Sequence, residues 1–223
     1  MKLTAEHTKQ GYYNSSGKKI PNVTTIAKMI QAPEGLIHWA WQCGVDGKDY
    51  RVERDSAATA GHVCHAMIQS AIIGSPFVAD PSIPEELIAL AKQGFEGFRS
   101  WMAGSRFLLQ HSEVRVISER FQYGGRLDCI ASVNGELCIV DWKTSGSRRP
   151  YESWLPQIAA YRQGWNETHL NQRVEACHLM VLAKADAGFS HHYFPSSTID
   201  VGWRAFLACL ELYECRKKVS ALL

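Results

Sequence analysis

Asn134 and Gly135 sit between two β-type runs, GGRLDCIASV (124–133) and ELCIVDWK (136–143). Asn-Gly is the turn chemistry of a two-residue β-hairpin, because a type I′ turn needs positive φ at both central positions. Such a loop fixes a register. Val133 pairs with Glu136 and, counting outward, Asp128 faces Asp141 and Arg126 faces Lys143. Directly opposed side chains have Cβ atoms roughly 4.5–5.5 Å apart, so two carboxylates meet on one face of otherwise apolar strands. They repel and resist burial unless something cationic offsets them. Lys143 lies two residues beyond Asp141 and shares its face, whereas Trp142 points to the other side, into packing. Two oxygen ligands beside an ammonium suit a hard divalent ion, Mg²⁺ or Mn²⁺. In such a site the lysine orients or deprotonates a water beside a scissile phosphate, where the metal offsets developing charge. A plain surface hairpin with three solvated charges explains neither the shared face nor the apolar LCIV that leads into it.

The rest of the chain predicts an α/β fold. Residues 11–22 are turn-rich and read as a β-ribbon or loop, and Asn22 introduces a short helix over VTTIAKMI. Residues 34–43 carry Trp39 and Trp41 in an apolar helical stretch. A helix is expected from Ser56 to Ile73, with Asp55 or Ser56 as N-cap and Gly74 as its stop. Gly61 inside it points to close packing or a backbone contact. Pro84–Met102 reads as a helix with Pro in its first turn. Strands follow over 113–121, 124–133 and 136–143. A helix over Ser153–Trp165, strands over 175–183 and 191–194, and a last helix from about Thr198 complete the order. From residue 84 the order is α-β-β-β-α-β, a mixed sheet flanked by helices. The expected division is an N-terminal helical, aromatic extension (1–55) and a main domain (56–223), together one compact unit.

The 223 residues carry 24 Lys+Arg against 22 Asp+Glu, a net charge of +2 that excludes a polybasic protein but not a local basic surface. Seven cysteines, an odd number without Cys-x-x-Cys, read as reduced thiols in a cytosol-like compartment. MKLTAEHTKQ lacks the apolar run of a signal peptide, and no apolar stretch approaches the roughly 20 residues a membrane span takes. A cytoplasmic protein, bacterial or in a phage-infected host, with no membrane contact, is therefore expected.

The motifs resemble those of the PD-(D/E)XK nuclease superfamily in its RecB-like branch. Gly125-Arg126-Leu127-Asp128 and Asp141-Trp142-Lys143-Thr144-Ser145 are similar to that branch's G-x-x-D and D-x-K-T-S, Gly61 and His65 to its upstream Gly-to-His spacing, and Gln157 and Tyr161 to its Gln-x-x-x-Tyr. The match covers roughly residues 56 to 183, and the αβββαβ order is similar to the superfamily's restriction-endonuclease-like core. PNVTTIAKMI also resembles a segment of phage exonucleases and of mitochondrial genome-maintenance exonucleases.

The resemblance implies metal ligation by Asp128, Asp141, His65 and the backbone carbonyl of Trp142, with Glu113 as a further acidic candidate against a solvated strand charge. It implies that Lys143 positions the nucleophilic water, and that Gln157 and Tyr161, four apart on one helix face, orient Lys143 or touch the phosphate. Without the resemblance, His65 reads as a core histidine, and Gln157 and Tyr161 as a cap and a packed ring. Thr144, Ser145, Arg148 and Arg149 form a basic, hydroxyl-rich loop suited to phosphate, with Arg126 nearby, and a solvated loop is the rival of equal weight. No iron–sulfur cluster is expected, since only Cys209 and Cys215 stand near the end. The implied function is a Mg²⁺- or Mn²⁺-dependent DNA exonuclease acting on single- or double-stranded ends in phage or bacterial recombination, repair or processing. A structure-specific endonuclease, a silent DNA-end-binding protein and an RNA-processing nuclease are the alternatives. A homo-oligomer or a recombination partner protein fits the same reading. Tyr12, Tyr13, Trp39 and Trp41 could stack bases, but core packing is the favoured reading for the tryptophans.

Overall fold

The computed structural model describes residues 11–32, 34–183 and 188–223; the MKLTAEHTKQ segment lies outside them. A short ribbon opens the described chain, with β1 (Tyr12–Tyr13) antiparallel to β2 (Lys19–Ile20). Asn22 then caps α1 (Val23–Ala27), its side chain accepting the Thr24 N–H at 2.9 Å. Next come α2 (Glu34–Val45), α3 (Tyr50–Ile72), α4 (Glu85–Ala103), β3 (Phe107–Ser118), β4 (Tyr123–Val133) and β5 (Glu136–Ser145). They are followed by α5 (Trp154–Thr168), β6 (Ala176–Ala183), β7 (Phe189–Phe194) and α6 (Ser196–Leu222).

The α-β-β-β-α-β order is present as α4-β3-β4-β5-α5-β6. The five-stranded sheet runs β3-β4-β5-β6-β7, with β5 and β6 parallel and every other neighbour antiparallel. The crossover through α5 is what a parallel pair requires. One face packs on α1, α5 and α6 through Val23, Ile26, Leu127, Ile130, Ile139 and Phe206. The other packs on α3 and α4 through Val63, Phe98, Cys129, Val140 and Trp142. A mixed sheet covered on both sides leaves its central strands apolar throughout, and β6 is buried at every position.

Two expectations need correction. α3 starts at Tyr50, two turns before Ser56, because Asp49 accepts the Arg51 N–H at 2.9 Å and so supplies the cap. The helix therefore runs unbroken through residues 55 and 56, where a domain division was expected. The N-terminal part is tied in further by α1, whose Val23 and Ile26 are fully buried in the α5-side core. Trp41 is not core: it is 60% exposed on α2, a helix that buries Cys43 alone. The Gly74 stop is present, with φ at +70°.

Candidate active site

The hairpin forms in the expected register. Asn134 and Gly135 have φ of 54° and 96°, and Val133 pairs with Glu136 through to Cys129 with Val140. There the ladder ends, one pair short of Asp128 and Asp141. Alternation breaks at the same point, since Leu127 belongs to the α5-side core and Cys129 to the α3/α4-side core. On the other flank, the pairs Ser112–Cys129 and Val114–Leu127 place Glu113 opposite Asp128, and Glu113 takes φ = 53°. Positive φ is uncommon for a residue with a Cβ and marks a local interruption of the strand. The two aspartates are thus not a regular cross-strand pair. They are brought together where β4 and β5 part, and the Asp128 carboxylate fills the gap by accepting the Trp142 N–H at 3.0 Å.

Three ligand-type side chains converge on this gap. One donor atom each from His65, Glu113 and Asp128 lies within 4.8 Å of the others, and His65 Nδ1 is 3.6 Å from Asp128 Oδ1. The histidine that the Gly-to-His spacing singles out, His65, is in this group, and His62, three residues earlier, is not. Asp141 lies alongside, 1% exposed, with its Oδ2 2.5 Å from Lys143 Nζ. Neither Asp141 oxygen has a hydrogen bond of good geometry. A buried carboxylate whose Oδ1 has no partner, beside three converging donors, is a donor set that suits a hard divalent cation.

The electrostatics follow from burial and neighbours. Burial pushes the Asp141 carboxyl up, Lys143 pulls it back and Asp128 adds repulsion, leaving it at about 6. For Asp128, burial is outweighed by His65 and Lys143, and the net shift is downward. Burial lowers His65, but the adjoining Asp128 wins and its net shift is upward. Glu113 is raised by burial and by Asp128, despite Arg126 Nε 2.7 Å from its carboxylate. Lys143 is held charged: burial opposes it, but Asp141 and Asp128 dominate.

Local sequence explains how these groups are delivered. Gly61 lets α3 approach β5, since a Cβ there would lie 2.8 Å from Thr144 Oγ1. That contact seats His65, one turn on, over the gap. Gly125 does the same on the opposite face, where a Cβ would meet Tyr161 at 2.6 Å. Gln157 Nε2 donates to Tyr161 Oη at 2.7 Å, and burial pushes the Tyr161 phenol up despite Lys143 beside it. Thr144 and Ser145, read from sequence as phosphate contacts, are placed in the packing instead. Strand alternation sends Thr144 towards Gly61 and Gly94, and Ser145 is buried with its hydroxyl bonded to Tyr151 at 3.2 Å. Arg148 and Arg149 are exposed on the loop that follows. Arg126, expected opposite Lys143, instead pairs with Arg115 across β3, because β4 and β5 have already parted.

The chain has likenesses in both sequence and fold. The chain is 36% identical over 121 residues to mitochondrial genome maintenance exonuclease 1 of Mus musculus, covering 51% of this chain and 35% of that protein. The Homo sapiens protein of the same name is 35% identical over 112 residues, covering 48% and 32%. A solved putative exonuclease from Eubacterium rectale superposes with a TM-score of 0.51 at 12% identity, covering 97% of this chain and 85% of that one. Its relatives are exonucleases. The names of the sequence relatives agree with the resemblance drawn from the motifs, and the structural likeness bears on the fold alone. The chain spans about a third of the length of these curated relatives. No protein-family model matches it.

Proposed function

We propose that the chain is a divalent-metal-dependent DNA exonuclease. The observation that carries this reading is the convergence of His65, Glu113 and Asp128 beside the buried Asp141–Lys143 pair, at the point where two strands separate. His65, Glu113, Asp128 and Asp141, with the Trp142 carbonyl at the same strand opening, would hold Mg²⁺ or Mn²⁺. When bound, such an ion supplies charge stabilisation at the phosphate and a more acidic water. The chain's own groups do the rest. Lys143 holds the attacking water and faces the charge that develops on the phosphoryl oxygens. Gln157 and Tyr161 fix Lys143 from α5. The water oxygen bonds to phosphorus, one ester oxygen departs, and the proton that the water loses balances the one the departing oxygen takes up. Arg148 and Arg149 face solvent where a phosphate backbone can reach them. The names of the relatives favour DNA and end-directed cleavage. A place in phage or bacterial recombination or repair is the biological setting we attach to this activity.

The test is digestion of end-labelled linear single- and double-stranded DNA in Mg²⁺, Mn²⁺ or EDTA, with a covalently closed circle alongside. Nucleotide release from linear DNA with metal, abolished by EDTA, is expected. Cleavage of the closed circle would replace the reading with an endonuclease, and absence of any cleavage would end it.

A further inference from the structure

Arg115 and Arg126 are direct cross-strand partners on β3 and β4. Like charges in that relation destabilise a sheet unless an anion lies between them. Among the described residues Arg126 is ion-paired with Glu113 alone, through its Nε, and its terminal nitrogens have no hydrogen bond there. Arg115 has no ion-pair partner among the described residues. Its guanidinium lies 4.7 Å from the centre of the Tyr12 ring and donates to the Gly11 carbonyl at 3.2 Å.

Tyr12 is placed there by construction. The Gly124 N–H donates to the Pro21 carbonyl at 3.0 Å, and a Cβ on Gly124 would lie 2.5 Å from the Tyr12 Cβ. The ribbon therefore lies flat on β4 at Gly124, a position that offers no side chain. Asn14 and Ser15 pin its tip to Gln122 and Glu119, at 2.7 and 2.6 Å. The result is a ring and two guanidiniums on one face. Arg115 and Arg126 stand two residues along from Glu113 and Asp128 on the same strands, a step of about 6.6 Å. That is of the order of the spacing between neighbouring phosphates in a nucleic-acid strand.

We infer that Arg115, Arg126 and Tyr12 form a phosphate-binding subsite one phosphate away from the candidate metal cluster, an inference that rests on the nuclease reading. Two forked guanidiniums match the oxygens of one phosphate, and the stacked ring holds one fork ready.

The experiment measures binding of a short single-stranded oligonucleotide by fluorescence anisotropy in Ca²⁺, with a 5′-hydroxyl or a 5′-phosphate, across a salt series. Arg115→Gln should weaken binding about tenfold, the loss of one hydrogen bond to a charged group. The slope of log affinity against log salt should fall by about 0.7, one phosphate contact on a single strand. Arg115→Lys should keep the slope and lose part of the affinity. Equal weakening of both oligonucleotides assigns the subsite to a backbone phosphate, and weakening confined to the phosphorylated one assigns it to the strand end; either supports it. Wild-type affinity and slope in Arg115→Gln would overturn it. Should that variant fail to fold by its melting temperature, Arg115→Met, which keeps the stem on Tyr12, carries the same expectation and the same overturning result. A wild type that cleaves DNA while Arg115→Gln binds normally removes the subsite and leaves the nuclease reading standing. A wild type that neither binds nor cleaves removes both.

Discussion

The Asp128 carboxylate and the Trp142 backbone are joined by a 3.0 Å hydrogen bond, made one residue past the last paired position of the β4–β5 hairpin. A side chain has taken over from the backbone ladder. This holds two parting strands at a fixed gap and aims the other Asp128 oxygen at His65. Asp128→Asn should therefore do two kinds of damage. It removes a charge from the candidate cluster, and it weakens the acceptor for a buried N–H. By calorimetry, Mn²⁺ affinity should fall by at least about tenfold relative to wild type. Wild type should gain about 2.7 kcal/mol of stability at a Mn²⁺ concentration a hundred times the dissociation constant, and the variant far less at the same concentration. Equal metal affinities would rule out Asp128 as a ligand.

Lys143→Met tests the chemistry separately from binding. With the ammonium gone, cleavage in Mg²⁺ should drop on the order of 100- to 1,000-fold, the usual loss for one electrostatic stabiliser. Oligonucleotide affinity in Ca²⁺ should stay near wild type. The sequence placed Arg126 opposite Lys143 and suggested relief of repulsion on its removal. The structure gives Lys143 Asp141 as its partner, so the variant instead strands a buried carboxylate, and the melting temperature at neutral pH should fall. Near-normal turnover in a folded variant would refute the role.

Gly61 is a test of fit. An added Cβ meets Thr144 Oγ1 at 2.8 Å, so Gly61→Ala should cost about 1–3 kcal/mol in overpacking, against about 1 kcal/mol gained in helix propensity. In a Thr144→Ala background the clashing oxygen is absent and the same substitution should be neutral or stabilising. A double-mutant cycle by urea denaturation reads the coupling. Additive effects would show that the close approach does not govern the position of α3.

A pH prediction comes from the far end of the sheet. His178 Nδ1 and His191 Nε2 are 2.7 Å apart, with parallel rings beside Trp101. Burial, then the neighbouring imidazole, pushes His178 down to about 4, and burial also lowers His191. A depressed histidine binds its proton more readily when the chain is unfolded. Its contribution to stability is therefore complete above about pH 6.5 and is lost as pH falls towards 4. His178→Gln should flatten that part of the profile, measured as the difference in melting temperature between variant and wild type from pH 7 to pH 4. Parallel profiles would contradict the assignment.

The hairpin was legible because Asn134–Gly135 leaves one loop geometry, and the αβββαβ order because each element carries its own period. The opening of the strands was not, since nothing in the residue types marks the break in alternation between Leu127 and Cys129, or the positive φ of Glu113 on the neighbouring strand. The destination of Thr144 was missed for a related reason. A motif reads it as exposed loop chemistry, whereas β5 continues in parallel register with β6 as far as Ser145 and Ala183 and keeps Thr144 facing the helices. The pairing of Arg115 with Tyr12 escaped notice because the two are 103 positions apart in the sequence. Only the Gly124–Gly125 doublet hinted that something lies flat on β4.

The sheet order has a consequence for how the molecule breathes. Asp141 and Lys143 belong to β5, the middle strand, and pair there with Leu179 and Val181 of the buried β6, while Glu113 belongs to β3, the outermost strand, and His65 to a helix. Half of the site is therefore welded and half is hinged. Closing His65, Glu113 and Asp128 around one ion would work as a fastener, pinning the rim of the molecule to its interior. Amide hydrogens near Glu113 and along α3 should then exchange more slowly with divalent metal present, while those of β6 keep the same slow rate with or without it.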